Sequence, residues 1–182
     1  MAYNTEIYHT KTKMSKTKTK IISAFPGTGK SYYHNKYPNE TLDSDSSNFS
    51  WVKDENGNNT KERNPEFPQN YINHIKENIG KYKYIFVSSH KEVRDTLLDN
   101  CIFFYIVYPD RKRKKEFIQR YKDRGNPEGF IKLVESNWEE WIREIQWIDS
   151  GCEKVCMVLD NLEDEINLME RVDYKEVLEE EI

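Results

Sequence analysis

The sequence lacks several features that mark broad classes of protein. No apolar run approaches the ~20 residues that a membrane-spanning helix needs, and no signal-type hydrophobic region follows the basic N-terminus. The three cysteines, Cys101, Cys152 and Cys156, are odd in number and form no metal-spaced pair. That usage is typical of reduced cysteines in a cytosolic protein. The sequence therefore predicts a cytoplasmic protein without a membrane partner.

The chain also lacks an excess of one charge along its whole length. It has 28 Lys and Arg against 32 Asp and Glu, a net charge of −4. Residues 1–20 carry about +4 and residues 160–182 about −8, so the stretch between them is close to neutral. This balance argues against a chain-wide basic field for non-specific nucleic-acid binding, although it leaves a local basic patch open.

The elements that are present alternate between strands and helices. Such alternation predicts an α/β fold with a central parallel sheet of about five strands. The aromatic content of 13% argues against disorder for most of the chain. We predict a flexible basic arm over 1–19, one folded domain over 20–160 and an acidic helical tail over 161–182. Strands are predicted at 20–24, 41–43, 84–87, 101–107 and 155–159, helices at 30–37, 69–79, 91–100, 111–124 and 129–148, and a long loop at 52–68.

The clearest motif is residues 24–31, which we call the glycine loop. Its sequence, Ala-Phe-Pro-Gly-Thr-Gly-Lys-Ser, fits the phosphate-binding P-loop pattern except that Ala24 replaces the first glycine. Glycines let backbone N–H groups turn towards phosphate oxygens, and the following helix adds its positive end. Lys30 can reach the β- and γ-phosphates, and the Ser31 hydroxyl can bind Mg²⁺. The predicted nucleotide-binding residues are Pro26, Gly27, Thr28, Gly29, Lys30, Ser31 and Tyr32.

A second motif, Leu42-Asp43-Ser44-Asp45, ends the predicted second strand. With the glycine loop, it makes residues 20–160 resemble the small P-loop kinases, namely the nucleoside-monophosphate kinases and their shikimate- and gluconate-kinase relatives. The resemblance implies a three-layer α/β fold, ATP and Mg²⁺. It also implies that Asp43 helps hold Mg²⁺ and that Asp45 contacts the acceptor hydroxyl. Independently, parallel strands bring their C-terminal ends to one sheet edge, where two carboxylates can bind metal and accept a proton. The alternative is that these acids only cap a turn or a helix.

The segment 111–127 resembles the arginine-bearing lid of these kinases. On a helix, Arg113, Arg120 and Arg124 fall at steps of seven and four, within one narrow stripe. Such arginines stabilise charge on a transferred phosphoryl group. We favour that role for Arg120 and Arg124, whereas a solvated basic face is as good an interpretation of Arg113.

The chain departs from the pattern of these kinases in one respect. The predicted strand 84–87 is followed by Ser88-Ser89-His90 and has no Walker-B carboxylate, so Asp43 or the two serine hydroxyls must replace it. His90 is a further candidate for substrate contact. The missing acid argues against a mechanical motor of the AAA type, and the absence of an Asn-Lys-x-Asp motif argues against a GTPase.

Residues 46–80 fall where small kinases place the acceptor. Aromatic and basic side chains there favour a nucleotide-like acceptor, although the aromatic rings can equally pack under a loop. These side chains are Phe49, Trp51, Lys53, Lys61, Arg63, Tyr71 and His74. We therefore predict an ATP-dependent, Mg²⁺-assisted kinase with Lys30, Asp43, Asp45, Arg120 and Arg124 as catalytic residues. One alternative is a kinase for hydroxyls on DNA or RNA, motivated by the lysine arm and the basic run 111–115. Another is a non-catalytic nucleotide-binding module.

Overall fold

The fold is known from a computed structural model that describes residues 18–147, residues 156–158 and residue 166. It combines a parallel sheet, a small antiparallel hairpin and helices. The strands are β1 Lys20–Ala24, β2 Thr41–Asp43, β3 Trp51–Lys53, β4 Asn59–Arg63, β5 Tyr84–Ser88, β6 Tyr105–Tyr108 and β7 Cys156–Val158. The helices are α1 Lys30–Lys36, α2 Ser47–Ser50, α3 Gln69–Asn78, α4 Lys91–Asp99, α5 Lys114–Asp123 and α6 Glu128–Gln146, with a 3-10 turn at Arg111–Arg113.

The main sheet places β1 at its centre. Strands β2, β5, β1 and β6 run parallel in that order, and the short segment β7 pairs parallel with β6. The predicted α/β class with a parallel sheet is therefore confirmed. Because all these strands point the same way, the residues after β1, β2 and β5 meet at one edge of the sheet.

Both faces of the sheet are covered by apolar side chains. Strand β1 buries four of its five residues, as expected of a strand between two layers. Helix α6 contributes a stripe that includes Val134, Trp138 and Ile145, all fully buried, as their spacing predicts. Trp141, predicted on the same stripe, is only partly buried.

The prediction of a loop over 52–68 was wrong, because this region contains the hairpin of β3 and β4. Its turn is closed by Asp54, whose carboxylate accepts hydrogen bonds from the backbone N–H groups of Asn56 (2.9 Å) and Asn58 (2.8 Å). Gly57 supplies the left-handed backbone that this turn needs (φ 79°). Neither strand has a fully buried residue, and β4 consists of polar side chains throughout, so the hairpin has no apolar alternation that the sequence pattern could reveal.

The predicted strand over 101–107 begins late, at Tyr105. The residues before it extend the end of α4. Cys101 has a left-handed backbone (φ 53°), and the N–H of Ile102 donates to the carbonyl of Leu97 at 2.9 Å. This turn satisfies helix carbonyls that would otherwise lack partners.

Two further boundaries differ from the predictions. The predicted helix over 111–124 starts as a 3-10 turn, because the Asp110 carboxylate accepts the N–H of Lys112 at 2.7 Å. The helix predicted over 69–79 ends at Asn78, and Ile79 just beyond it is 46% exposed. Most of the predicted arm and most of the predicted tail lie outside the described residues. Within the described residues, no helix is long and apolar enough to cross a membrane.

Candidate functional site

The glycine loop connects the central strand β1 to α1 and folds back on itself. Gly27 (φ 80°) and Gly29 (φ 108°) both adopt left-handed backbone, which L side chains disfavour. The Thr28 hydroxyl donates to the carbonyl of Phe25 at 2.7 Å inside the loop. The N–H of Phe25 donates to the carbonyl of Val107 in β6 at 2.8 Å. The loop is therefore fixed internally and tied to the neighbouring strand.

Lys30 lies half-buried at the start of α1. Its ammonium group donates to the carbonyl of Ala24, at the other end of the loop, at 2.6 Å. Burial lowers the pKa of Lys30 to about 8. The carboxylates of Asp43 and Asp45 partly oppose this shift, and the charge of Arg124 adds to it. The loop therefore holds a lysine that titrates near physiological pH.

Two acids at the end of β2, Asp43 and Asp45, lie beside the glycine loop. The Ser31 hydroxyl donates to the Asp43 carboxylate at 2.7 Å, which joins the start of α1 to the end of β2. The Asp45 carboxylate accepts the N–H of Ser47 at 2.8 Å, so it caps the turn into α2, as the alternative interpretation predicts. Asp45 also lines the cleft described below. The structure thus brings Ser31, Asp43 and Asp45 to one place.

Tyr71 of α3 connects the ends of β2 and β5 through hydrogen bonds of its hydroxyl. Its side chain is fully buried, and its hydroxyl donates to the Ser44 carbonyl at 2.6 Å and accepts the Ser88 N–H at 3.3 Å. Burial raises the pKa of this hydroxyl well above its usual range, so it stays protonated. Tyr71 is therefore a support of the site, and its ring is not free to stack on an acceptor.

Helix α5 covers the other side of the glycine loop. The Tyr121 hydroxyl donates to the carbonyl of Pro26 at 2.7 Å. Its ring packs so closely on Gly27 that a Cβ atom there would lie 2.8 Å from a ring carbon. Arg120 makes a long hydrogen bond of 3.5 Å to the Gly27 carbonyl. Gly27 is thus required both by its backbone conformation and by this close approach.

The arginines of α5 are held by Glu116. Its carboxylate accepts from Arg113 at 2.7 and 2.8 Å and from Arg120 at 2.5 Å. The guanidinium groups of these two arginines also stack on Phe117, with distances to the ring centroid of 5.5 and 4.7 Å. The hydrogen bond from Arg113, helped by the charge of Arg120, lowers the pKa of Glu116 to about 2.

The glycine loop, the ends of β2 and β5, and helix α5 line an open cleft of about 530 Å³. Of the predicted nucleotide-binding residues, all but Thr28 line it. Thr28 is buried, and its hydroxyl shapes the loop instead. Four predicted catalytic residues, Lys30, Asp43, Asp45 and Arg124, also line the cleft, whereas Arg120 reaches only the loop carbonyl. The remaining lining residues are Ser44, Ser46, Ser88, His90, Tyr121, Asn126 and Phe130.

Several of these residues were not predicted as site residues from the sequence. The contact of Tyr121 with the glycine loop joins positions 95 residues apart and leaves no local signal in the sequence. Asn126 and Phe130 follow α5, and the side-chain oxygen of Asn126 is buried without a hydrogen-bond partner among the described residues. Buried polar atoms usually have partners, so this oxygen is available to a ligand.

His90 follows β5 and faces the cleft. Its Nδ1 lies 2.8 Å from the Ser88 hydroxyl. Although the residue is partly open to solvent, desolvation of the ring lowers the pKa of His90. Glu92 opposes the shift, and Arg63, Lys30 and Arg94 reinforce it. The imidazole is therefore biased towards its neutral form.

The aromatic and basic residues predicted to hold an acceptor do not line the cleft. Phe49 packs on Tyr71 and on His74, at ring-centroid distances of 5.2 and 4.9 Å. Arg63 stacks on the Trp51 ring at 5.5 Å and pairs with Glu92. The residues at the end of β2 that do line the cleft are Asp43, Ser44, Asp45 and Ser46.

The described residues contain no group of three or more His, Cys, Asp or Glu side chains placed to hold a metal ion. The oxygens of Ser31 and Asp43 form a smaller, hard donor set. Mg²⁺ typically takes only one or two protein ligands and fills its other positions with water and substrate phosphates. The donor set therefore fits Mg²⁺ better than a metal that needs a full protein cage.

No family model matches the chain, and no curated protein matches it significantly.

Proposed function

We propose that this chain is a P-loop kinase with a three-layer α/β fold, which transfers the γ-phosphoryl group of ATP to a nucleotide-like acceptor. The observation that carries the proposal is the contact of Ser31 with Asp43, 2.7 Å, in a cleft that also holds Lys30. A glycine loop by itself would account only for phosphate binding. The hydroxyl and the carboxylate beside it would also hold Mg²⁺, which phosphoryl transfer needs.

The glycine loop would bind the β- and γ-phosphates. Lys30 now donates to the Ala24 carbonyl, and on binding it would exchange this neutral acceptor for a phosphate oxygen. A charged acceptor makes the stronger hydrogen bond. The N-terminal end of α1 adds positive potential at the same point.

Ser31 and Asp43 are the residues that would hold Mg²⁺. When bound, this ion neutralises charge on the phosphates. Asp43 also orients the Ser31 hydroxyl through the hydrogen bond already described. This carboxylate at the end of β2 takes the place of the acid that is missing after β5.

Asp45 would contact the acceptor and take up its proton. The new bond forms between the acceptor oxygen and the γ-phosphorus, the bond from that phosphorus to the ADP oxygen breaks, and the acceptor proton passes to the Asp45 carboxylate. The serine hydroxyls on either side of Asp45 line the cleft and offer hydrogen bonds to the same molecule. The volume of about 530 Å³ lies within the usual range for ligand sites.

Arg124 and Arg120 would stabilise charge on the transferred group. Arg124 lines the cleft, and Arg120 lies one hydrogen bond from the loop. Arginine suits this role because its planar group can donate two parallel hydrogen bonds to phosphate oxygens.

The proposal is tested by measuring ADP release with ATP, Mg²⁺ and a panel of nucleosides and nucleotides. We expect turnover with at least one acceptor and a loss of at least about 100-fold in Lys30→Ala, as for other charge-stabilising groups. The matched control is Lys132→Ala, on the exposed face of α6, where the lysine pairs with Glu128. Full phosphoryl transfer by Lys30→Ala would refute the assignment. Tight ATP binding without any turnover would favour the non-catalytic module.

A second candidate is a kinase for hydroxyls on nucleic acid. In the basic run 111–115, which leads into α5, Arg111 pairs with Glu139 and Arg113 pairs with Glu116. By contrast, Lys112 and Lys115 are exposed and have no ion pair among the described residues. This candidate predicts DNA or RNA binding that weakens steeply with salt. No binding at low salt would exclude it.

A further inference from the structure

A second, smaller cavity lies behind the glycine loop, between the start of α4 and α6. It measures about 100 Å³ and is more enclosed than the cleft. Its walls are largely apolar and aromatic, and they include Phe25, Ile145 and Trp141. Pro26 and His90 line both cavities, so the two share a wall.

Arg94 of α4 is the buried charge of this cavity. The residue is only 3% exposed. Its Nε donates to the Ser89 carbonyl at 2.9 Å, and its Nη2 lies 3.9 Å from the Glu144 carboxylate, which is beyond hydrogen-bond distance. Among the described residues, its guanidinium group has no other hydrogen bond or ion pair. A guanidinium has five N–H donors, so most of those of Arg94 are unfilled.

A buried cation with unfilled donors is costly unless an anion compensates it. Glu144 compensates only in part, because its side chain is 37% exposed and stands off at 3.9 Å. Lys91 also lines the cavity, but its ammonium pairs with Asp95 one turn further along α4, so it adds no unpaired charge. Helix α4 begins at Lys91, and its positive end faces the same space. Among the described residues, the Arg94 guanidinium is therefore the charge of this cavity that no carboxylate meets at hydrogen-bond distance.

We propose that this cavity binds a small oxyanion, a phosphate or a carboxylate group, through the unfilled N–H donors of Arg94. A water molecule occupies about 30 Å³, so the space suits a group of a few heavy atoms and excludes a nucleotide. Because the occupant would touch Pro26 from behind, the site is separate from the phosphate site of the cleft and adjacent to it.

The test is calorimetric titration of the full chain with potassium phosphate and with potassium acetate, against potassium chloride at matched ionic strength. The informative variant is Glu144→Gln, which removes the competing carboxylate near Arg94. We expect it to bind the oxyanion about two- to fivefold more tightly, the usual effect of one partly exposed charge. Its matched control is Glu139→Gln, which removes another exposed carboxylate of α6 that pairs with Arg111.

Arg94→Met should weaken oxyanion binding at least tenfold while keeping the apolar stem. Glu144 does not line the cleft, so phosphate held by the glycine loop contributes equally to both glutamate variants. Binding of acetate as well as phosphate identifies a carboxylate as an acceptable occupant, and binding of phosphate alone restricts the site to phosphate. Equal affinities of Glu144→Gln and Glu139→Gln for both anions would overturn the proposal. That comparison decides even if Arg94→Met does not fold.

Discussion

The two walls of the cleft are built in different ways. The strand wall, made of Ser31, the acids after β2 and Ser88, rests on parallel strand pairing and on the buried hydroxyl of Tyr71. The helix wall is made of Tyr121 in α5 and Arg124 just after it, with Arg120 beside the glycine loop. Arg120 is held by Glu116, whose side chain is 45% exposed.

This difference separates fixed groups from exchangeable ones. Hydrogen bonds in the strand wall are short and supported from the core, so its carboxylates are positioned before any ligand arrives. Exposed ion pairs are worth little and are easily replaced. Arg120 is already bonded to an anion, and a phosphate group can take the place of Glu116 at small cost. The strand wall therefore supplies position, and the helix wall supplies charge.

The largest effect should come from the strand wall. Asp43→Asn keeps the shape and a hydrogen-bond acceptor for Ser31 but removes the charge. We expect kcat/KM to fall about 100-fold, as when other charge-stabilising groups are removed, and the Mg²⁺ concentration for half-maximal rate to rise. Steady-state ADP release over a Mg²⁺ series measures both. The control is Asp95→Asn in α4, an acid that pairs with Lys91. Equal rates for the two variants would mean that Asp43 does not assist the metal.

The contact between the walls is probed by Gly27→Ala. The new Cβ must adopt a positive φ and displace the Tyr121 ring, so we expect nucleotide affinity to fall at least tenfold. Gly57→Ala is a matched control, because its φ is nearly the same (79° against 80°) and nothing lies within 4 Å of the added atom. The control should lose about 1–2 kcal/mol of unfolding free energy and no affinity. Nucleotide titration and thermal unfolding separate the two effects. Equal affinity losses would show that the close approach to Tyr121 is unimportant.

Lys30 lies between the walls and should make binding depend on pH. Its protonated form attracts phosphate, and its pKa of about 8 in the free site means that this form is lost as pH rises through 8. We expect ATP affinity to fall by up to tenfold per pH unit above 8, a limit set by the loss of one proton. In Lys30→Arg, which stays charged, affinity should be nearly constant from pH 7 to 9. A wild-type affinity that stays level or increases over this range would contradict the assignment.

The smallest effect should come from the helix wall. Glu116→Gln removes the anion that holds Arg120, so we expect ATP to bind about two- to fivefold more tightly. Glu139→Gln removes a comparable exposed carboxylate and is expected to leave affinity unchanged. Weaker binding in Glu116→Gln would show instead that the carboxylate positions Arg120, and the helix wall would then be as fixed as the strand wall.

Local patterns predicted the strand wall well. The glycine loop carries its conformation in its own residues, and Asp43 ends a strand whose place in the sheet follows from α/β alternation. The features that could not be predicted from the sequence depend on long-range packing. The buried state of Tyr71, its bonds to two strand ends and the burial of Arg94 are set by neighbours far along the chain. The hairpin was missed for another reason, since its strands are short, β4 is polar throughout and neither strand has a fully buried residue.

The shortness of β2 has a consequence for local opening. This strand has three residues and, among the described strands, lies at the edge of the sheet with β5 as its one neighbour, so few backbone hydrogen bonds hold it there. Just beyond the end of β2, the Ser44 carbonyl accepts a hydrogen bond from the hydroxyl of Tyr71, a buried residue of α3. Freeing the acid-bearing edge therefore requires drawing a buried ring out of its packing. Amide hydrogen exchange at Ser88 would then report the opening of a strand to which it does not belong.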